Sequence, residues 1–402
     1  MKGQPIHQPR PMRVICIGAG ISGIAAAYKA QRDLINTEFI IYEKDEDVGG
    51  TWLENRYPGC ACDIPSHSYT FSWEGNPDWT RFKWQWPDIP GLDDFKGPRL
   101  HPARWDTSLD LTGKRVAVIG AGSSALQIVP TIQPIVSKLI NFIRSPTWVT
   151  LEYGHAFASE GRETKFSEAQ RQTFRSDRKA LLEYRKVLLD GSTKAFDLYY
   201  KGSEMQKKAF EANRELMRQR LKGHEEICER LIPNFEVGCR RVSPGHGYLE
   251  ALIEPNSTAV FDGIKCINQS GILDNNGVQH DVDVIVCATG FDVSHRPAFP
   301  VLGRDGVDLR DYWAEGPIHY LSVASPGFPN YFIAGGPNSP ISNVSLVMGL
   351  ELAVDYAFSV VRKMQTEDIG SVEVQLEAAN DFLEQRDLIM QDLVWTGSCS
   401  SW

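Results

Sequence analysis

The stretch Arg13-Val-Ile-Cys-Ile-Gly-Ala-Gly-Ile-Ser-Gly23 decides the fold. Its first five residues read as a buried strand, and the pattern after the glycines predicts a helix to about Asp33. Between them, Gly18-x-Gly20-x-x-Gly23 matches the dinucleotide fingerprint. Gly18 allows the tight turn, Gly20 lets backbone approach a pyrophosphate, and Gly23 lets helix and strand pack closely. The start of the helix then offers free N–H groups and partial positive charge to phosphates. A second strand, Glu38 to Tyr42, runs into Glu43, 20 residues past Gly23, where a carboxylate can bind ribose hydroxyls. A lone glycine motif is weak evidence; strand, turn, helix and acid together are strong.

The same unit recurs downstream. Lys114 to Ile119 reads as strand, Gly120-Ala-Gly122-Ser123-Ser124-Ala125 as turn, and a helix follows to about Lys138 before the strand LINFIR. That strand ends at Arg144-Ser145 and carries no acid there. A guanidinium suits the 2′-phosphate of NADPH, which a carboxylate would repel, so NADPH is favoured over NADH; the plain alternative is a surface arginine. The duplication predicts an α/β protein with two Rossmann-like dinucleotide-binding domains. Residues 160–232, charged and helical in tone, read as a helical insertion.

Composition narrows the class. A chain of 402 residues is too long for one ordinary core, and 42% apolar with 23% charged residues is the balance of a globular protein. The formal charge of −9, without a basic block, excludes a nucleic-acid partner. Cys60 and Cys62 have no second close pair to complete a metal set, so no metal is expected and the 8 cysteines read as free thiols of a reducing compartment. The N-terminus shows no signal-peptide core, and the apolar stretch Val344 to Met364 carries Glu351, Asp355, Arg362 and Lys363. It reads as a buried or amphipathic helix and not a membrane span, and the expected location is cytoplasmic.

Between the two fingerprints lie VGGTWLENRYPGCACDIPSHSY (48–69) and FKGPRLHPARWD (95–106). The latter gives F-x-G-x-x-x-H-x-x-x-W-D at Phe95, Gly97, His101, Trp105 and Asp106. This pattern resembles the signature of the Baeyer–Villiger flavin monooxygenases; related flavin-containing and N-hydroxylating monooxygenases usually have a different aromatic ending. RSPTWV (144–149), CATGFD (287–292), GPNSP (336–340) and VWTGSCSSW (394–402) extend the resemblance over nearly the whole chain, in the style of the fungal secondary-metabolism branch.

The resemblance implies FAD on the first fingerprint, NADPH on the second, and insertion of one oxygen atom of O2 into a ketone or aldehyde to give an ester or lactone. The partners would be O2 and a small-molecule carbonyl substrate, by analogy a sizeable polycyclic or polyketide-type ketone. An anion reacting in a dry site needs a fixed cation, and arginine stays charged at any working pH. Cys239-Arg240-Arg241 stands where the family has Cys-Lys-Arg, so Arg241 inherits the catalytic role and Arg240 a place near the 2′-phosphate. Taken bare, an arginine pair is more often surface charge. Asp63 matches the family's aspartate beside the flavin, though a loop Asp before Ile-Pro is usually a turn residue. Trp52 and Tyr69 match positions packing along the flavin, with core aromatics as the alternative. The remaining expected cofactor contacts are Gly18, Gly20, Ser22, Gly23, Glu43, Lys44, Thr51, Thr289 and Gly290, with Gly120, Gly122, Ser123, Ser124, Gln127, Arg144 and Ser145. His101 and Trp105 are linker residues with no chemical role assigned.

One departure matters. The family carries several tens of residues between the YPG…CD segment and WPDIPGL, whereas here TRF (80–82) runs straight into KWQWPDIPGL (83–92). No aliphatic strand candidate lies between Tyr42 and Lys114, so a parallel sheet there is left with open edges and apolar faces. Family chains also usually continue beyond the final Ser-Trp. The expected division is an FAD-type part at 1–92, a linker at 93–112, an NADPH-type domain at 113–280 and a second FAD-type part at 281–402. The alternatives are a hydroxylase or N/S-oxygenase of the same family, and an inactive relative that only binds nucleotide.

Overall fold

The computed structural model describes residues 9–61, 69–73, 86–150, 167–339 and 345–399. In chain order come β1 (Met12–Ile17), α1 (Ile21–Asp33), β2 (Thr37–Tyr42), α2 (Thr51–Glu54), β3 (Arg99–Leu100), β4 (Arg115–Ile119), α3 (Ser123–Ile132), β5 (Lys138–Phe142) and β6 (Val149–Thr150). The charged middle forms α4 (Glu168–Ser176), α5 (Arg178–Lys194), α6 (Glu204–Arg220) and α7 (Glu225–Leu231). Then follow β7 (Ser243–Pro244), α8 (Tyr248–Leu252), β8 (Ser257–Val260), β9 (Ile264–Asn268), β10 (Gly271–Asp274), β11 (Gln279–Asp281) and β12 (Val284–Cys287). The last third holds α9 (Leu309–Tyr312), α10 (Leu346–Thr366) and α11 (Leu376–Met390). The chain divides into two compact units, one of residues 1–53, 66–79 and 293–392, the other of 54–65, 80–292 and 393–402.

In the first unit β1 and β2 pair in parallel, Met12 opposite Thr37 through Ile17 opposite Tyr42. Val14, Cys16 and Phe39 pack against Ala26 and Ala30 of α1 and Val354 and Phe358 of α10. The opposite side departs from the expected buried strand: Ile15 and Ile17 are 55% and 58% exposed, and Tyr42 59%. Side chains alternate across a strand, so one covering layer protects every second residue and no more. Among the described residues this sheet has two strands and helices on one face.

The acids that argued against a membrane span in α10 have structural duties. Lys29, buried on α1, places Nζ 2.5 Å from Asp355 Oδ1 and 3.1 Å from the Glu351 carbonyl. The buried Glu351 carboxylate accepts the Ser72 N–H at 2.7 Å and its hydroxyl at 2.6 Å. Buried charge is tolerable because each group is paired. Among the described residues no helix is long and apolar enough to cross a membrane.

The second unit is built on a five-stranded sheet in the order β3-β12-β4-β5-β8, parallel throughout. Its central strands are aliphatic because both faces are covered. Ala117, Ile119, Ile140, Phe142, Ile285 and Cys287 meet Ile267 and Ile272 of the antiparallel layer β9–β11. α3 and α8 pack on each other, with Leu126, Ile128, Val129 and Leu249 buried. Since β12 pairs with β4, the CATGF turn that follows it belongs to this unit.

The expectation of free thiols fails at one pair. Cys239 is disulfide-bonded to Cys399, 160 residues away, while Cys16, Cys60, Cys228, Cys266 and Cys287 are free; Cys62 lies outside the described residues. Sequence spacing carries no signal for a bridge that forms only when the C-terminal segment returns to the loop ahead of Arg240.

Candidate functional site

The first glycine turn needs glycine for two reasons, a positive φ at Gly18 and close packing at Gly23. Gly18 has φ +98° and donates its N–H to the Tyr42 carbonyl at 2.7 Å. A Cβ on Gly23 would lie 2.0 Å from the Gly18 oxygen. Gly20 caps α1 without any side-chain hydrogen bond, leaving first-turn N–H groups for a ligand, with Ser22 in that first turn. The Glu43 carboxylate clasps the turn from β2, taking the Ala19 N–H at 2.6 Å and those of Lys44 and Asp45 at 2.7 and 3.1 Å. Lys44 is exposed and pairs with Asp45 at 3.0 Å.

The Gly49-Gly50-Thr51 segment lies against this turn: the Gly49 N–H reaches the Ala19 carbonyl at 3.0 Å, and a Cβ on Gly20 would be 3.5 Å from Gly50 Cα. Thr51 heads α2, is buried, and its Oγ1 has no hydrogen-bond partner. A buried hydroxyl without a partner lies beside a phosphate-type turn. Trp52 is the second residue of α2, its side chain outside the described set, and Asp63 also lies outside the described residues. Tyr69 packs with Phe71, Trp73 and Val347 against Ile21 and Ile24, so it serves as a core aromatic of this unit.

At the second turn Gly120 has φ +121°, and a Cβ there would meet the Ala288 oxygen at 2.3 Å. Gly122 caps α3, again with no side-chain hydrogen bond, and a Cβ on it would find nothing within 4 Å. The turn is fixed from below by a polar pair that sequence reasoning missed. Asn141 of β5, fully buried, donates from Nδ2 to the carbonyls of Val118 and Gly120, both at 2.9 Å. Its Oδ1 accepts the Tyr248 hydroxyl at 2.8 Å, and burial raises the pKa of that phenol. The available signal was the lone asparagine inside an aliphatic strand, a residue that must be paired if buried.

Around this turn the expected contacts separate. Ser123 Oγ is 2.7 Å from Ser243 Oγ, Ser124 is half-buried, and Gly122 is open. Gln127 is occupied elsewhere: its Oε1 accepts the Tyr57 hydroxyl at 2.8 Å and its Nε2 donates to the Ala61 carbonyl at 2.9 Å, tethering the YPGC loop. Arg144 stands exposed just past β5 with Ser145 half-buried beside it. Arg240 Nη1 lies 3.5 Å from the Pro146 carbonyl, and its guanidinium sits over the Phe235 ring at 5.4 Å. Burial, then the charge of Arg144, lowers the Arg240 pKa. The two guanidinium groups are thus close enough for one to feel the other's charge.

Arg241 is half-buried and follows directly on Arg240. The loop leading to it is pinned by two buried side chains. Trp148 donates to the Phe235 carbonyl at 3.0 Å, and the Gln206 amide pairs with both the N–H (3.0 Å) and the carbonyl (2.9 Å) of Val237. Thr289 and Gly290 are exposed after β12, and Gly290 has φ +90°. His101 is 1% exposed, accepts the Ala103 N–H on Nδ1 at 3.2 Å, and meets Phe291 edge to face at 5.9 Å. Burial pushes its pKa down to about 4, against a backbone hydrogen bond with Gly290 that acts the other way. The linker histidine is thus a neutral packing residue under the CATGF turn, and Asp106 forms a turn by accepting the Ser108 N–H at 2.9 Å.

Known proteins resemble this chain in sequence and in fold. Residues 16–83 match a family described as an NAD(P)-binding Rossmann-like domain. The chain is 38% identical to the FAD-binding monooxygenase tazF of Aspergillus terreus over 99% of its own length and 84% of the relative's. It is 32% identical to a Baeyer–Villiger monooxygenase of Pseudomonas aeruginosa over 98% of its length and 85% of that protein's. The alignment with tazF runs over 470 positions against 402 residues here, so at least 68 positions of the relative have no counterpart in this chain. The fold matches the crystal structure of OTEMO in complex with FAD and NADP, with TM-score 0.82 and 24% identity over 96% of this chain and 91% of that one. It also matches cyclohexanone monooxygenase from Rhodococcus sp. Phi1 bound to NADP+, with TM-score 0.81 and 23% identity over 96% and 91%. With more than 30% identity to these sequence relatives maintained along nearly its whole length, the chain belongs to the family of FAD-binding and Baeyer–Villiger monooxygenases.

Proposed function

We propose that this protein is an FAD- and NADPH-dependent monooxygenase that inserts one oxygen atom of O2 into a ketone or aldehyde, giving an ester or lactone. The observation that carries the reading is the pair of glycine turns, each opening a helix whose cap leaves its N–H groups to a ligand. The residues fit the two dinucleotides. At the first turn the cradle beside Gly20 and the unpartnered Thr51 hydroxyl suit the FAD pyrophosphate, with Glu43 on the ribose side. At the second, the open surface of Gly122 suits the NADPH pyrophosphate, and the Arg144–Arg240 pair suits its 2′-phosphate. The substrate is a small-molecule carbonyl compound of secondary metabolism, the reaction takes place in the cytoplasm, and the acidic balance gives nucleic acid no electrostatic support.

When bound, FAD supplies two-electron transfer from NADPH and the activation of O2. The chain's own residues bind, orient and balance charge. Arg241 provides a fixed positive charge for the anion that develops during oxygen insertion, and arginine keeps that charge at every working pH. Asp63, outside the described residues, keeps only the place beside the flavin that the family resemblance implies. His101, neutral above about pH 4, packs the linker against the CATGF turn without exchanging protons at neutral pH.

The exposed face of β1 and β2, with Ile15 and Ile17, favours a second reading in which the chain binds nucleotide without turnover. A visible absorbance spectrum of the purified chain decides between them. Bound-flavin absorbance that bleaches with NADPH and recovers in air supports the monooxygenase. NADPH binding with no flavin retained after FAD is supplied refutes it and leaves the nucleotide-binding reading.

A further inference from the structure

Three segments converge beside the arginine loop. Val394 is fully buried and Trp395 stacks on Tyr199 with centroids 5.1 Å apart. The Tyr199 ring also lies under Gly238, where a Cβ would come within 2.9 Å of it at φ +88°. Lys201 Nζ bonds Thr396 Oγ1 at 2.7 Å. The strap 393–399 is thus seated on the turn after α5, and Cys399 joins it to Cys239, the residue immediately before Arg240 and Arg241. Gln206 and Trp148 hold the loop at Val237 and Phe235, and the disulfide is the covalent hold next to the arginines.

We propose that the Cys239–Cys399 disulfide is a thiol-exchange site: a reversible latch that holds the Arg240–Arg241 loop in its ligand-binding position and is opened by a dithiol. Cys239 is 1% exposed and Cys399 half-buried, so the reagent's thiolate attacks the Cys399 sulfur. The Cys239–Cys399 bond breaks, and Cys239 leaves as a thiolate and takes a proton. The reagent's second thiol then displaces Cys399, leaving two protein thiols and one cyclic disulfide. Two electrons and two protons have passed from dithiol to protein. The reverse exchange with a disulfide closes the latch.

The affinity readout rests on the proposed contact of Arg240 with the NADPH 2′-phosphate. The test uses the full oxidised chain, with NADP+ and NAD+ titrated before and after treatment with dithiothreitol. The expected result is a loss of about tenfold in NADP+ affinity, about 1.4 kcal/mol, with NAD+ changing less than about twofold. Cys399→Ser should show the weakened NADP+ affinity without dithiol and no further response, while Cys266→Ser should respond as the parent does. A non-reducing peptide map lacking the Cys239–Cys399 cross-link overturns the proposal, as does equal NADP+ affinity in both redox states. If neither nucleotide binds in either state, the functional reading fails, and hydrogen exchange at 235–241 decides the latch. Faster exchange after reduction supports it, and unchanged exchange overturns it.

Discussion

Removing the Tyr248 hydroxyl tests whether the second glycine turn is fixed from below. Tyr248→Phe keeps the ring in its fully buried site and opens almost no cavity. It deprives Asn141 Oδ1 of its donor at 2.8 Å, in a place water does not reach. An unsatisfied buried acceptor costs about 1–3 kcal/mol, and that is the expected loss of stability. Asn141→Ala should cost more, because the carbonyls of Val118 and Gly120 lose their donor and the side-chain volume is emptied. In the Asn141→Ala background the acceptor is gone, so adding Tyr248→Phe should cost close to nothing. The coupling between the two substitutions should therefore equal most of the single Tyr248→Phe effect. The assay is urea unfolding followed by tryptophan emission, with slopes compared to check that the unfolded states match. A Tyr248→Phe protein within about 0.5 kcal/mol of the parent, or an equal cost in both backgrounds, would refute the account.

Acid should destabilise the protein through His101. Its pKa is about 4 when folded against an ordinary value of 6.5, so the unfolded chain binds more protons between them. The resulting stability is complete above pH 6.5 and is lost as pH falls toward 4, by about 3 kcal/mol in all. His319, also lowered by burial, acts in the same direction. Denaturation measured across this range should slope less steeply in His101→Asn. Gly23→Ala and Gly122→Ala should separate folding from binding. The first drives a Cβ to 2.0 Å from the Gly18 oxygen and should lower the melting temperature, whereas the second meets no protein atom within 4 Å and should fold normally while binding NADP+ poorly. Arg144→Gln should weaken NADPH by roughly tenfold or more and leave NADH nearly unchanged, since a charge-assisted phosphate contact contributes about 1.5–3 kcal/mol. Equal losses for both nucleotides would place Arg144 away from the 2′-phosphate.

Local sequence determined a large part of this protein. A strand, a glycine turn and a helix impose their own geometry over a dozen residues, which is why glycine falls where φ is positive, at Gly18 and Gly120, or where packing excludes a side chain, at Gly23. The same locality made the charged middle legible as helices α4 to α7. It also exposed the shortened stretch before WPDIPGL, and the face of β1 that carries Ile15 and Ile17 is uncovered. Contacts between distant residues were a different matter. Gln127 carried the mark of a nucleotide contact, yet its amide is used on Tyr57 and Ala61, more than 60 residues away. Tyr69 is half-buried and packs against the cluster of Ala25, Phe71 and Val347, a contact its position in the sequence did not announce. Asn141 with Tyr248, Gln206 with Val237, and Cys239 with Cys399 join segments separated by 107, 31 and 160 residues. Propensity and spacing report on neighbours along the chain, while a buried hydrogen bond or a disulfide depends on which surfaces meet after collapse. The sequence alone therefore settled the two nucleotide-type turns and their order. Tertiary structure alone decided which polar side chains hold those turns and the arginine loop in place.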